Sequence, residues 1–259
     1  NPELELRVLL NNCSQKSKKE IFLSNFNICD IDIEKFKSAF NRRINHEPIS
    51  KIFNKKEFWG LNFYVDQNVL DPRPESEFLI QAIKEFFPNN KSKLKICDLG
   101  TGSGCLAITL AKIYSQSNIT AVDISHDAIK IAKINAKKHN LEKTINFINS
   151  DWILINNSFD LLVSNPPYLT QKEYENVEIN IKKYEPKLAL FGGLDGLNSY
   201  RQIAKKSIAI LNKKSLIFLE IGSEQAEKIK KIFAEKNIKI IKIIKDYKGF
   251  DRVLVLQIF

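Results

Sequence analysis

Asp98-Leu99-Gly100-Thr101-Gly102-Ser103-Gly104 joins an apolar run at 94–98 to a helix-periodic stretch that starts at 104. Three alternate glycines at that junction allow backbone angles and a closeness of approach that side chains would forbid, and they leave the helix N-terminus open to a ligand. Downstream the chain alternates. Strands are predicted at 94–98, 119–123, 145–149, 160–164, 216–221, 238–245 and 253–258, and helices near 104–114, 125–139, 197–211 and 223–236. Ser125 and Ser223 are the expected N-caps. Such alternation predicts a parallel sheet covered on both faces. Only residues 246–252 separate the last two strands. That is too few for a crossover, so these strands should pair antiparallel.

Open α/β sheets bind ligands at the carboxyl ends of their strands, and polar residues collect there. Asp123 ends the second strand, 23 residues after Gly100, where a carboxylate can accept from a ribose diol. Asp151-Trp152 follows the third strand. There a carboxylate could accept from an adenine amino group and an indole could flank the ring. A dinucleotide fingerprint would need a third glycine at 105, which is Cys105. The G-x-G-x-G spacing after Asp98 instead resembles that of the class I S-adenosylmethionine-dependent methyltransferases, whose ligand presents an amino acid and a sulfonium. Seven strands closed by an antiparallel pair is likewise the arrangement of that fold.

Ser164-Asn165-Pro166-Pro167-Tyr168 follows the fourth predicted strand. Consecutive prolines fix two φ angles, remove two N–H donors and push the preceding residues out of the helical region. The corner is therefore stiff. It offers the carbonyls of Asn165 and Pro166 and the Asn165 side-chain oxygen to a flat N–H2 group, with Tyr168 as an aromatic face beside it. A sulfonium methyl is already activated, so its transfer needs in-line placement and exclusion of water more than a strong base. The geometry serves either a glutamine side-chain amide or the exocyclic amine of a flipped adenine.

Residues 1–50 read as helices, with Leu4, Val8, Ile33, Phe36 and Phe40 at three- and four-residue spacing and Asp30 or Asp32 as a cap. Residues 51–77 read as a β-hairpin linker, with Gly60 at its bend and Arg73 framed by Pro72 and Pro74 as a candidate substrate contact near the cleft. Residues 78–259 form the expected catalytic domain.

A length of 259 residues with 44% hydrophobic content can bury a large core. No stretch approaches the roughly 18 apolar residues of a membrane span, and the start lacks a charged-then-apolar leader pattern. Cys13, Cys29, Cys97 and Cys105 form no Cys-x-x-Cys pair and have no histidine at ligand spacing, which excludes a zinc motif or disulfide framework and predicts a reducing, cytoplasmic setting. His46, His126 and His139 read as surface residues. The net charge of +10 suits an acidic partner, but only Arg7, Arg42, Arg43, Arg73, Arg201 and Arg252 among the 40 basic residues are arginine, and the lysines are scattered. Solvated helix faces account for that better than a nucleic-acid groove, and there is no separate target-recognition domain. A monomer without a metal is expected. The chain contains no Met, which suggests a trimmed or processed start.

Taken with Arg42-Arg43, Glu47-Pro48-Ile49, Glu57-Phe58-Trp59-Gly60-Leu61, Pro72 to Glu77, Glu185-Pro186, Ala189 to Gly193, Asp195-Gly196-Leu197, Leu219 to Gly222, Gln225 and Asp251-Arg252-Val253, these motifs make nearly the whole chain resemble the HemK/PrmC family of peptide chain release factor N(5)-glutamine methyltransferases. The resemblance implies methylation of the glutamine in the Gly-Gly-Gln motif of release factors by S-adenosyl-L-methionine, leaving S-adenosyl-L-homocysteine. It also implies that the N-terminal helices dock the protein substrate. By position it places Gly100, Thr101, Gly102, Ser103, Gly104, Asp123, Asp151, Trp152 and Asn165 at the cofactor and Asn165, Pro166, Pro167 and Tyr168 at the glutamine. Asn165, Pro166 and Tyr168 are then the candidate catalytic residues.

Overall fold

The computed structural model describes residues 2–154 and 158–259. Its first elements are helical: Pro2–Asn12 (α1), Lys18–Phe22 (α2), Ile33–Ile44 (α3) and Ile49–Ile52 (α4). Ser17 and Glu20 form a reciprocal capping box at α2, and the Asp32 carboxylate accepts from Lys35 N–H at the start of α3, so the cap falls on Asp32. These helices close on Leu9, Cys13, Ile21, Ile31, Ala39 and Ile52, a small apolar cluster of their own.

Lys56–Phe58 (β1) and Leu61–Phe63 (β2) pair antiparallel as the expected hairpin. Trp59 and Gly60 turn it with φ of 51° and 69°. Two left-handed central residues match the twist of the flanking strands. Asn135, wholly buried on a later helix, ties this linker to the sheet: its side chain accepts from Tyr64 N–H at 2.6 Å and donates to the Tyr64 and Ser103 carbonyls at 2.9 and 2.8 Å.

After Glu77–Phe86 (α5) come Lys95–Leu99 (β3), Cys105–Ile113 (α6), Asn118–Asp123 (β4), His126–Lys138 (α7), Ile145–Asn149 (β5) and Phe159–Ser164 (β6). The short Gln171–Glu175 (α8) and Ile179–Tyr184 (α9) precede Asn198–Ile210 (α10), Leu211–Glu220 (β7), Ala226–Ala234 (α11), Ile238–Lys245 (β8) and Asp251–Ile258 (β9). The sheet order is β5-β4-β3-β6-β7-β9-β8. Strands β3 to β7 run parallel, and β9 lies antiparallel between β7 and β8.

Side chains along the central strands alternate between two cores, as a period of two requires. Ile96, Leu161, Val163, Phe218 and Val255 face the layer that holds α5 and α6, and Cys97, Leu162, Ile217, Leu219 and Leu254 face α10 and α11. Burial on both faces is why these strands read as continuous apolar runs.

Two expectations are corrected. Ser223 is not an N-cap: α11 begins at Ala226, with Gln225 in the cap position making no cap bond, because the Gln225 side chain is used on Gly222 N–H and the Tyr168 carbonyl. His139 is half-buried rather than on the surface, packed on Phe63 at 5.3 Å between ring centroids with Nε2 3.1 Å from the Asn62 carbonyl. Among the described residues, no helix is long and apolar enough to cross a membrane, and no group of His, Cys, Asp or Glu could hold a metal ion.

Candidate active site

The glycine turn sits between β3 and α6. Gly100 and Thr101 N–H both donate to the Val122 carbonyl of β4, at 2.9 and 3.0 Å, which folds the turn across the sheet edge. Asp123 Oδ2 accepts from Gly102 N–H and Oδ1 from Ser125 N–H, each at 2.9 Å. The carboxylate thus bridges the turn and the Ser125 cap of α7. Burial raises the Asp123 pKa and those backbone donors pull it down. A Cβ on Gly100, whose φ is +73°, would lie 3.3 Å from Trp152 Cζ2, while one on Gly102 would meet nothing within 4 Å. Glycine at 100 therefore lets the indole close one wall, and at 102 the backbone faces open space.

That space is a cavity of about 340 Å³ bordered by Gly100, Gly102, Asp123, Asp151, Trp152 and Asn165, with Pro167 further round. Thr101, Ser103 and Gly104 build the turn from behind. Thr101 Oγ1 donates to Asp98 Oδ2 at 2.7 Å, the Ser103 carbonyl accepts from Asn135, and Gly104 N–H donates to the Thr101 carbonyl at 2.8 Å. Asp98 is fully buried, its Oδ1 has no hydrogen-bond partner among the described residues, and burial pushes its pKa up to about 7.

A second cavity of about 370 Å³ lies on the other side of Asn165, bordered by Arg73, Glu75, Tyr168, Glu220 and Arg252. Leu70, Asn165 and Ala189 border both. The proline corner is thus the partition between two chambers. Pro166 is buried beneath it, Pro167 faces the first chamber and Tyr168 the second. The Pro167 carbonyl accepts from Ser199 Oγ at 3.1 Å and the Tyr168 carbonyl from Gln225 Nε2 at 2.9 Å; the carbonyls of Asn165 and Pro166 are not among these acceptors. Burial, reinforced by the nearby Glu220 charge, pushes the Tyr168 phenol up to about 12 and keeps it protonated.

Arg73 donates to Glu185 Oε1 at 3.2 Å as well as bordering the second cavity. Glu185 also accepts from Asp71 N–H and lies 3.5 Å from Lys51 Nζ, which in turn lies 2.8 Å from Asp71. Lys51, Asp71 and Glu185 are all buried. The linker is thereby fastened to the loop that follows α9, and burial raises the Glu185 pKa against the pull of Lys51. Asn165 Nδ2 donates to Ser76 Oγ at 2.9 Å, and Ser76 Oγ donates to Glu220 Oε2 at 2.6 Å. Sequence reasoning assigned no role to Lys51 or Asn135, and it held Ser76 and Glu220 only as members of the Pro72–Glu77 and Leu219–Gly222 motifs of the family resemblance, without a part of their own.

Sheet order and glycine turn are those of the class I S-adenosylmethionine-dependent methyltransferase fold. The Methyltransferase small domain family matches residues 68–188. A methyltransferase of Pyrococcus furiosus shares the fold at a TM-score of 0.55 and 17% identity, over 85% of this chain and 98% of that one. The release factor glutamine methyltransferase of Clostridium acetobutylicum is 38% identical over 92% of this chain and 86% of its own length. The chain belongs to the release factor glutamine methyltransferase family. It is also 39% identical over 99% of its length to the bifunctional methyltransferase of Rickettsia typhi, of which it covers 53%. The chain therefore spans about half the length of such relatives.

Proposed function

We propose that this chain transfers the methyl group of S-adenosylmethionine to the side-chain amide nitrogen of the glutamine in the Gly-Gly-Gln motif of peptide chain release factors. The observation that carries this reading is the meeting of the two chambers at Asn165. The residues of the first chamber fit the cofactor: an open backbone at Gly102, carboxylates at Asp123 and Asp151 for polar edges, and the Trp152 indole for a flat ring. Its volume is in the range of small-molecule sites. When bound, the cofactor supplies an activated methyl group and a neutral leaving thioether.

The chain's own residues then have to hold the acceptor nitrogen in line and keep water out. With Nδ2 committed to Ser76, Asn165 turns Oδ1 toward an incoming N–H. The Pro166 carbonyl of the same corner takes the second N–H. Both hydrogens of the amide are then held in its plane and the nitrogen lone pair is turned toward the first chamber; once the nitrogen is alkylated, one of those two N–H protons is released to solvent. Tyr168 covers the amide face, and Arg73 borders the approach. The helices α1 to α4 dock the release factor, giving a division at about 1–50, 51–77 and 78–259. The free Cys13, Cys29, Cys97 and Cys105 suit a reducing cytoplasm, where the chain acts as a monomer on protein rather than on nucleic acid.

The test is incubation with methyl-labelled cofactor and three acceptors: a release factor, its Gln-to-Ala variant in the Gly-Gly-Gln motif, and adenine-containing DNA. Label on the first alone is expected. Label on DNA alone, or on none, rejects the reading.

A further inference from the structure

We propose that Glu220, acting through Ser76, is a positioning residue that locks the Asn165 side-chain amide in the one orientation able to accept from the acceptor nitrogen. The proposal rests on the methyl-transfer reading above and adds to it the device that keeps the partition correctly aimed.

The three residues come from distant places: Ser76 immediately before α5, Asn165 just after β6, and Glu220 at the end of β7. Ser76 and Glu220 are 2% and 1% exposed, so both hydrogen bonds are shielded from bulk water. A serine hydroxyl has one proton to donate, and a carboxylate can only accept. While Glu220 is charged, that proton points to Glu220 Oε2, which leaves only lone pairs on Ser76 Oγ for Asn165. Asn165 must then present Nδ2. A flipped amide would set Oδ1 against those lone pairs, an unpaired contact in a low-dielectric interior. A protonated Glu220 could instead donate to Ser76 Oγ, freeing the hydroxyl proton for Oδ1 and removing the bias between the two amide orientations.

Several groups face this carboxyl. Arg252 from β9 borders the same cavity and is itself held by Asp246 at 3.0 Å. Arg73 and Glu75 come from the linker, Tyr168 from the proline corner, and the Tyr200 hydroxyl of α10 donates to the Glu220 backbone carbonyl at 3.0 Å. Burial dominates and lifts the Glu220 pKa to about 7; the Ser76 bond and then the two arginines oppose it, and Glu75 adds to it. The lock therefore tightens as pH rises through neutrality.

The experiment uses the full chain with labelled cofactor and release factor, comparing wild type, Ser76→Ala, Ser76→Thr and Glu220→Gln from pH 6 to 8.5. Loss of an orienting bond predicts that Ser76→Ala lowers kcat about 100-fold, with acceptor KM and cofactor Kd moving less than about threefold. Ser76→Thr keeps the hydroxyl and should recover most of that loss. Wild-type kcat should rise through pH 7, and the Glu220→Gln profile should be flat there. A second readout needs no acceptor: the Asn165 side-chain amide resonance should titrate near pH 7 in wild type and not in Glu220→Gln. A pH-independent Asn165 resonance in wild type, or a Ser76→Ala kcat within about threefold of wild type, overturns the proposal. If wild type methylates no release factor while the Asn165 resonance titrates as described, the substrate reading fails and the lock stands.

Discussion

The two chambers that meet at Asn165 are anchored differently. The glycine-lined one has one wall, from Gly100 to Trp152, on consecutive strand ends inside a single βαβαβ stretch, and is closed by Leu70 of the linker, by Asn165 and Pro167, and by Ala189 and Gly192. The other gathers Leu70, Arg73, Tyr168, Ile181, Glu220 and Arg252, spread over most of the chain. One chamber is seeded by a local turn on a regular sheet and only completed by distant segments. The other exists only when the linker, the loop after β6 and the end of β7 arrive together. Changes at the glycine turn should act on one ligand alone, and changes at the partition should reach both.

The partition residue offers the largest effect. Asn165→Ala removes the group that aims the acceptor and should lower turnover about 1000-fold while weakening cofactor binding less than about tenfold. Labelled-methyl transfer and calorimetry measure the two, and equal losses would mean that Asn165 serves the cofactor chamber alone.

Gly192→Ala probes the partition from the side of the first chamber, which Gly192 borders. An added Cβ would lie 2.7 Å from the Pro167 carbonyl oxygen, 2.8 Å from that of Gly196 and 2.9 Å from Tyr168 Cα, all backbone, so the corner itself must shift. An ångström-scale displacement there should cost about 100-fold in kcat/KM for the acceptor and, because Gly192 and Pro167 both border the first chamber, about tenfold in cofactor affinity as well. A loss of cofactor affinity with acceptor kcat/KM unchanged would mean that the corner does not hold the acceptor.

Gly100→Ala is the converse and milder. Its Cβ would press Trp152 Cζ2 at 3.3 Å on a left-handed backbone, so cofactor affinity should fall about tenfold, with acceptor KM constant.

The smallest effect concerns stability. Burial raises the Glu220 carboxyl from 4.5 to about 7, so the folded chain holds that proton more tightly than the unfolded one. Native stability tied to Glu220 is therefore full below about pH 4.5, falls as pH climbs toward 7, and stays low above it. Glu220→Gln removes this titration, and its Tm relative to wild type should rise by about 5–10 °C between pH 5 and 8. Asp98 is lifted to the same range by burial, so a residual slope remains in both proteins. A constant Tm difference across that range would argue that Glu220 is not buried as a titrating acid.

How much was legible follows the same division. The strands at 145–149 and 238–245 match β5 and β8 end for end, because runs of Ile bounded by polar residues leave a clear trace. Asp123, Asp151, Trp152 and Asn165 fall together because strand ends in a parallel sheet share one edge. The short helices α8 and α9 went unassigned, since five or six residues give too little periodicity to read. Ser223 looked like a cap because serine before an apolar run usually is one; the competing demand of the Tyr168 carbonyl for Gln225 has no local signature.

By itself, the order of residues determined the alternating three-layer architecture, the glycine turn and the stiff corner at Asn165, since each is written in spacing, apolar periodicity or the fixed φ of proline. Only the tertiary structure decided which way the Asn165 amide points, that Ser76 and Glu220 stand behind it, and that Lys51, Asp71 and Glu185 fasten the linker over the second chamber. The reason is separation along the chain: the Asn165–Ser76 and Ser76–Glu220 bonds join residues 89 and 144 positions apart. A hydrogen bond across that distance imposes no period on the residues between, so it becomes visible only once the sheet has brought its partners to one edge.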